Sequence, residues 1–139
     1  MQVKEAMHKG VEWVEPDVPV SIVATKMRDL DVGAIPVCEE DRLVGMITDR
    51  DITCRAVANE SDLSKTTARD VMTKKVIFCR DTEELDDAIR IMEDKQIRRM
   101  PAIDEDKRMV GMLSLGDVTH AVSQEMSGEV IKAVSEHHA

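Results

Sequence analysis

Apolar positions along this chain change period in a regular way. Val20, Val23, Ala24, Met27 and Leu30 recur at helical spacing, with Lys26, Arg28 and Asp29 facing away. Gly33 follows as the expected helix stop. Short apolar runs then predict strands over 34–38 and 43–47, separated by the polar turn 39–42. An earlier run, 11–14, predicts a short strand ended near Pro16. Thr48 begins a Thr-x-x-Asp stretch, the pattern of a capping box, and predicts a helix to about residue 58. The same order returns later. Strands are expected over 76–79, 100–103 and 109–113, and a helix over 83–96 with Leu85, Ala88, Ile89 and Met92 inward. Ser114 caps a last helix to about residue 126, where Gly128 breaks the pattern. Val130, Ile131 and Val134 then predict a further helical turn or two, docked on a partner.

The chain is therefore built twice. Met7 and Met72 lie 65 apart, as do Trp13 and Phe78, Met27 and Met92, and Pro36 and Pro101. After the proline the offset is 66, pairing Gly45 with Gly111 and Asp51 with Asp117. One residue has entered the acidic turn Asp104-Glu105-Asp106-Lys107, where a hairpin tolerates a length change. The expected division is repeat one over 1–58, a polar linker over 59–69, repeat two over 70–127 and a C-terminal extension over 128–139. His137 and His138 read as either an expression remnant or a tail. Units this small bury too little surface to stand alone, so one shared core is expected.

The ordered motifs resemble the cystathionine β-synthase (CBS) domain pair. Glu5-Ala6-Met7 and Asp70-Val71-Met72-Thr73 carry the likeness, with Val32-Gly33-Ala34-Ile35-Pro36-Val37 and Ile97-Arg98-Arg99-Met100-Pro101-Ala102. The two Gly-x-x-Ser/Thr-x-x-Asp stretches complete it, so that it spans about residues 3–124. The sequence-derived order, β-α-β-β-α twice, makes an α+β fold and agrees with what the resemblance implies. The resemblance further implies pseudo-twofold symmetry with two clefts between the repeats, and a disk-shaped homodimer.

Charge and composition narrow the partners. A net charge of −9 argues against nucleic acid or an anionic membrane surface. No apolar run is long enough to span a bilayer and no secretory signal is present. Three scattered cysteines, Cys38, Cys54 and Cys79, fit a reducing cytoplasm better than a disulfide framework. The ten methionines read as core filler in a chain with almost no aromatics.

The Ser/Thr-x-x-Asp element has a structural and a functional reading. Thr48 with Asp51, and Ser114 with Asp117, satisfy orphan N–H groups and complement the helix dipole. The same place suits a phosphorylated nucleoside. A helix N-terminus and a hydroxyl favour phosphate, and a carboxylate accepts hydrogen bonds from a ribose diol. The resemblance implies these latter roles for the four residues. Arg98 and Arg99 stand where repeat one has Gly33-Ala34; they are either solvated strand-edge residues or a guanidinium pair for phosphate. By resemblance, basic residues here contact phosphate, which would make the site containing Asp117 the better phosphate holder. An adenine slot is implied at Met7, His8 and Val11 with Ala34 and Ile35 in one cleft. In the other it is implied at Thr73, Val76 and Ile77 with Met100. His8 departs from the family, which often has threonine there, as Thr73 does.

No histidine or cysteine cluster has metal-ligand spacing, and no nucleophile with its base, P-loop or dinucleotide fingerprint is visible. The sequence thus points to a non-catalytic sensor of AMP, ADP, ATP or S-adenosylmethionine. It would have no cofactor besides that regulatory ligand, and it would signal to an unknown target protein. Its rivals are a ligand-free interaction or dimerisation module and a small nucleotide-acting enzyme.

Overall fold

The computed structural model describes residues 1–136, and the His137-His138 tail lies outside them. The chain folds as two compact units that do not coincide with the two repeats. One unit joins Met1–Val11 to Ile77 and the residues beyond, and the other is Glu12–Val76. The lead segment of each repeat has therefore joined the body of the other.

Unit Glu12–Val76 is built around helix α2 (Val20–Leu30) and the antiparallel hairpin β1 (Ala34–Glu39) and β2 (Arg42–Thr48). α2 buries Val20, Val23 and Met27 of the stripe its spacing predicts, while Ala24 and Leu30 are exposed. Its open first-turn N–H groups are met by backbone, Val20 N donating to Thr66 O and Ser21 N to Leu63 O. Its stop is Asp31, in the left-handed region at φ 55°, not Gly33. A Cβ at Gly33 would instead lie 3.1 Å from Asp49 Oδ2. The stretch 11–14 forms no strand; only Val14 bridges Val37. After β2 comes one turn, α3 (Asp49–Asp51), which widens into a π-helical stretch over Ile52–Val57 where an ordinary helix was expected. The short helix α4 (Ala68–Val71), at the start of repeat two, closes this unit.

The other unit starts with helix α1 (Val3–Ala6) and resumes at strand β3 (Cys79–Arg80) and helix α5 (Leu85–Lys95). Strand β4 (Arg99–Ile103) pairs parallel to β3 and antiparallel to β5 (Met109–Ser114). α5 buries Leu85, Ala88, Ile89 and Met92. The inserted residue falls in the β4–β5 turn, where the Asp104 carboxylate accepts from Asp106 N and Arg108 N at 2.8 and 2.9 Å.

Each lead segment docks by the same bonds. Val3 N donates to Glu83 O and Lys4 N to Asp81 O. Their counterparts, Ala68 N to Val18 O and Arg69 N to Pro16 O, do the same in the other unit. Buried residues accordingly gather into two clusters, one per unit, rather than one shared core. Val3 enters one cluster, and Ala68 and Val71 enter the other.

The last two helices depart from expectation. α6 (Leu115–Ala121) ends at Val122, and α7 (Gln124–Ser135) restarts under a Ser123 cap and runs straight through Gly128. Val130 and Val134 are fully buried in their own unit's core, not reserved for a partner. Among the described residues no helix is long and apolar enough to cross a membrane.

Cys38 and Cys79 are buried and Cys54 is exposed. Burial, helped by Asp41, pushes the Cys38 thiol up to about 12; burial and Glu83 do the same for Cys79. Iodoacetamide at neutral pH should modify Cys54 alone, with all three reacting after denaturation. The unfolded thiols ionise near 9.0 while the folded ones stay protonated to about 12. Their contribution to stability is therefore complete below the first value and falls away as pH rises toward the second. Alkylation of all three thiols at equal rates in the folded protein would contradict this burial.

Candidate functional site

Both copies of the capping box form. Thr48 Oγ1 accepts from Asp51 N at 3.0 Å, and Asp51 Oδ2 accepts from Thr48 N at 2.9 Å. In the second copy, Ser114 Oγ accepts from Asp117 N at 3.1 Å and Asp117 Oδ2 from Ser114 N at 2.9 Å. Each hydroxyl keeps its own proton for donation, and each carboxylate keeps Oδ1 turned away from the cap. These carboxylates are sheltered, the Asp51 side chain being 14% exposed and that of Asp117 6%.

What meets Oδ1 differs between the copies. Arg55, one turn along from Asp51, brings Nε to 3.8 Å of Asp51 Oδ1. Its Nη1 donates to the carbonyls of Val71 and Met72, both at 3.1 Å, at the end of α4. Cations at a helix C-terminus satisfy such orphan carbonyls. The equivalent position in repeat two is Ala121, which has no charge to offer. There the partner is His8, whose Nδ1 sits 2.5 Å from Asp117 Oδ1 while its side chain remains 73% exposed.

The lead segments bring their own residues to these carboxylates. Thr73 and Met46 exchange backbone hydrogen bonds at 2.8 and 3.0 Å, and His8 and Met112 exchange theirs at 2.9 Å. Close approach depends on glycine in both places. A Cβ at Gly45 would strike Met72, and one at Gly111 would lie 2.6 Å from Met7 Sδ and 2.7 Å from His8 O. Met7 and His8 thus share a unit with Ser114 and Asp117, and Thr73 shares one with Thr48 and Asp51. Of the residues expected around one adenine, Met7, His8 and Val11 belong to the unit of Asp117 and Ala34 and Ile35 to the unit of Asp51; of the second set, Thr73 and Val76 belong to the unit of Asp51 and Ile77 and Met100 to the unit of Asp117. The exchange of lead segments divides them in this way, which a reading that assigns each segment to its own repeat does not show.

The other candidates divide by exposure. Ala34 pairs with Thr48 in the hairpin register and is half-buried. Ile35 and Met100 are buried in the cores of their units. Val11, Val76 and Ile77 are half-buried where one unit passes to the other, and Ile77 packs against the core of its own unit. Arg98 and Arg99 are exposed, and among the described residues neither guanidinium makes a hydrogen bond or an ion pair. Arg99 lies directly opposite Ser114 in the strand register, and Arg98 O accepts from Leu115 N at 2.7 Å. Arg55 was missed by sequence reasoning. Its signal was available as a basic residue four after Asp51 on a helix.

Among the described residues no group of three or more histidines, cysteines and carboxylates converges as metal ligands would. A family model described as the CBS domain matches residues 3–56 and again 68–124. Three solved structures resemble the chain at matching length. Hypoxic Response Protein I of Mycobacterium tuberculosis, solved with two coordinated zinc ions, is 31% identical with a TM-score of 0.80, covering 88% of this chain and 99% of that one. CBSX2 of Arabidopsis thaliana, solved in complex with AMP, is 26% identical with a TM-score of 0.76, covering 86% and 94%. The CBS domain pair of protein MJ0100, solved in complex with 5-methylthioadenosine and S-adenosyl-L-methionine, is 25% identical with a TM-score of 0.75, covering 87% and 94%.

Proposed function

The chain belongs to the CBS-domain family, and from that membership and the geometry above we propose that it is a non-catalytic sensor of an adenosine ligand. The observation that carries the reading is the sheltered carboxylate of Asp51 and of Asp117, each with one oxygen turned away from its helix cap. Such an oxygen beside a hydroxyl suits the diol of a ribose. Two structural relatives hold compounds that share the adenosine group, AMP in one and S-adenosyl-L-methionine in the other. Arg99, exposed on the strand opposite Ser114, and Arg98 just before that strand are the groups for a phosphate in the second copy. Ligand occupancy would act by differential affinity for two arrangements of a cytoplasmic homodimer and so reach a target protein.

A thermal-shift panel of AMP, ADP, ATP, S-adenosylmethionine and adenosine tests this reading. At a ligand concentration one hundred times Kd, binding to the folded state alone contributes about 2.7 kcal/mol. Arg99→Ala should weaken AMP by roughly ten- to a hundredfold while leaving adenosine, which has no phosphate, unchanged, since loss of one charged hydrogen bond costs about 1.5–3 kcal/mol. No shift with any compound would favour the rival reading of a ligand-free interaction module. One observation already speaks for that rival: Arg55 and His8 give both carboxylates partners within the protein itself.

A further inference from the structure

The two copies of the site differ most at the group that meets the free carboxylate oxygen. In the first copy Arg55 stands 3.8 Å from Asp51 Oδ1 and is also bound to the carbonyls of Val71 and Met72. It is tethered from two sides, and its contact with the carboxylate is long. In the second copy His8 sits directly on Asp117 Oδ1. A carboxylate only accepts, so this close contact is favourable when His8 Nδ1 carries a proton. With Asp117 Oδ2 already turned onto the Ser114 cap, the oxygen that a ribose diol would use is covered.

We infer that His8 is a latch on the second site, a specificity-determining residue that a nucleoside must displace from Asp117 before its diol can bind there. This rests on the adenosine reading above. Two features let the latch open without disturbing the fold. The His8 side chain is 73% exposed, so the ring can swing into solvent. The backbone of the same residue is held separately, by the pair of hydrogen bonds with Met112. Thr73, at the equivalent place in the first copy, makes the matching backbone pair with Met46 but carries no ring to reach a carboxylate. The consequence is a chain with one standing site and one latched site, despite the near-identity of the two capping boxes.

The test is calorimetric titration of the full chain with adenosine, which removes any phosphate contact from the comparison. Asp51→Asn serves as background, so that the copy containing Asp117 is read alone. His8→Ala and His8→Thr should each tighten adenosine roughly two- to fivefold, since a contact whose histidine lies largely in solvent is weak and its loss is a modest gain for a competitor. The melting temperature of the free protein should not move. With Asp117→Asn in place of Asp51→Asn, the same His8 changes should have no effect on the remaining site, the mark of a direct coupling between the two residues. In the protein with His8 intact, saturating adenosine should shift the His8 imidazole resonances, identified by their absence in His8→Ala. Unchanged or weaker adenosine affinity in His8→Ala would overturn the latch, weaker affinity making His8 a ligand contact, and would leave the sensor reading standing. Failure of adenosine and AMP to bind any variant, with the unsubstituted chain equally silent, would overturn both.

Discussion

Gly111→Ala should destabilise the protein by about 1–3 kcal/mol, the range for forcing extra volume into a filled space, and by more than Gly45→Ala. At both glycines a lead segment lies against a hairpin strand, but what a methyl would meet is different. At Gly111 it would lie 2.7 Å from the carbonyl oxygen of His8, as well as 2.6 Å from Met7 Sδ. That carbonyl accepts from Met112 N, so it cannot retreat without giving up the bond that holds the lead segment. At Gly45 the obstructing group is the Met72 side chain, which has rotatable bonds to move along, and the backbone oxygen of Thr73 is farther away at 3.2 Å. Urea titration followed by circular dichroism reads the effect as a lower midpoint at unchanged slope. A Gly45→Ala variant as unstable as Gly111→Ala would mean that the backbone approach of His8 is not what matters.

A chain ended before Gln124 should lose most of its stability in the unit that contains α5. The family match ends at residue 124, so the family pattern by itself makes α7 dispensable. The packing does not. Val130 and Val134 are both fully buried, in the cluster that holds Leu85, Ile89 and Met92 of α5. Burying a valine contributes about 1.5–3 kcal/mol, so the pair supplies roughly 3–6 kcal/mol, against a typical total of about 5–15 kcal/mol. Hydrogen exchange should show amides of α5 and β4 losing protection in the truncated chain. Val134→Asp, which leaves the helix in place and puts a charge in the core, should reproduce the loss. Protection equal to that of the full chain would show that α7 is an appendage.

Much of this was legible beforehand because it depends on local chemistry. The stripes of α2 and α5 are facts of spacing, and the Thr48 and Ser114 capping boxes need only residues three apart. The inserted residue could be assigned to a turn because turns tolerate length changes. Three features were not legible, each for its own reason. Gly33 and Gly128 were read as breakers, but Asp31 and Gln96 take the left-handed helix ends at φ 55° and 54°. Gly128 sits where even a Cβ would meet nothing within 4 Å, so the helix passes through it at only the cost of a glycine. The widened turn over Ile52–Val57 has no compositional mark, and its bonds, such as Ala58 N to Thr53 O, appear only in the folded chain. The grouping of the site is the third. Which carboxylate His8 faces is decided by a contact more than one hundred residues away in sequence, and a repeat pattern holds no information on whether its lead segments stay at home.

That exchange of lead segments also sets an order of events during synthesis. Glu12–Val76 is one uninterrupted stretch, so every residue of that unit is available once it has left the ribosome. Met1–Val11 emerges before that unit, yet its partners in β5 and α5 appear only after it. That segment must therefore wait, unpaired, through the folding of the unit that follows it. Closing a loop that long carries an entropic cost and slows the step that depends on it. Folding should accordingly be biphasic, the faster phase belonging to the unit whose residues are contiguous, and the site that contains His8 and Asp117 is assembled last.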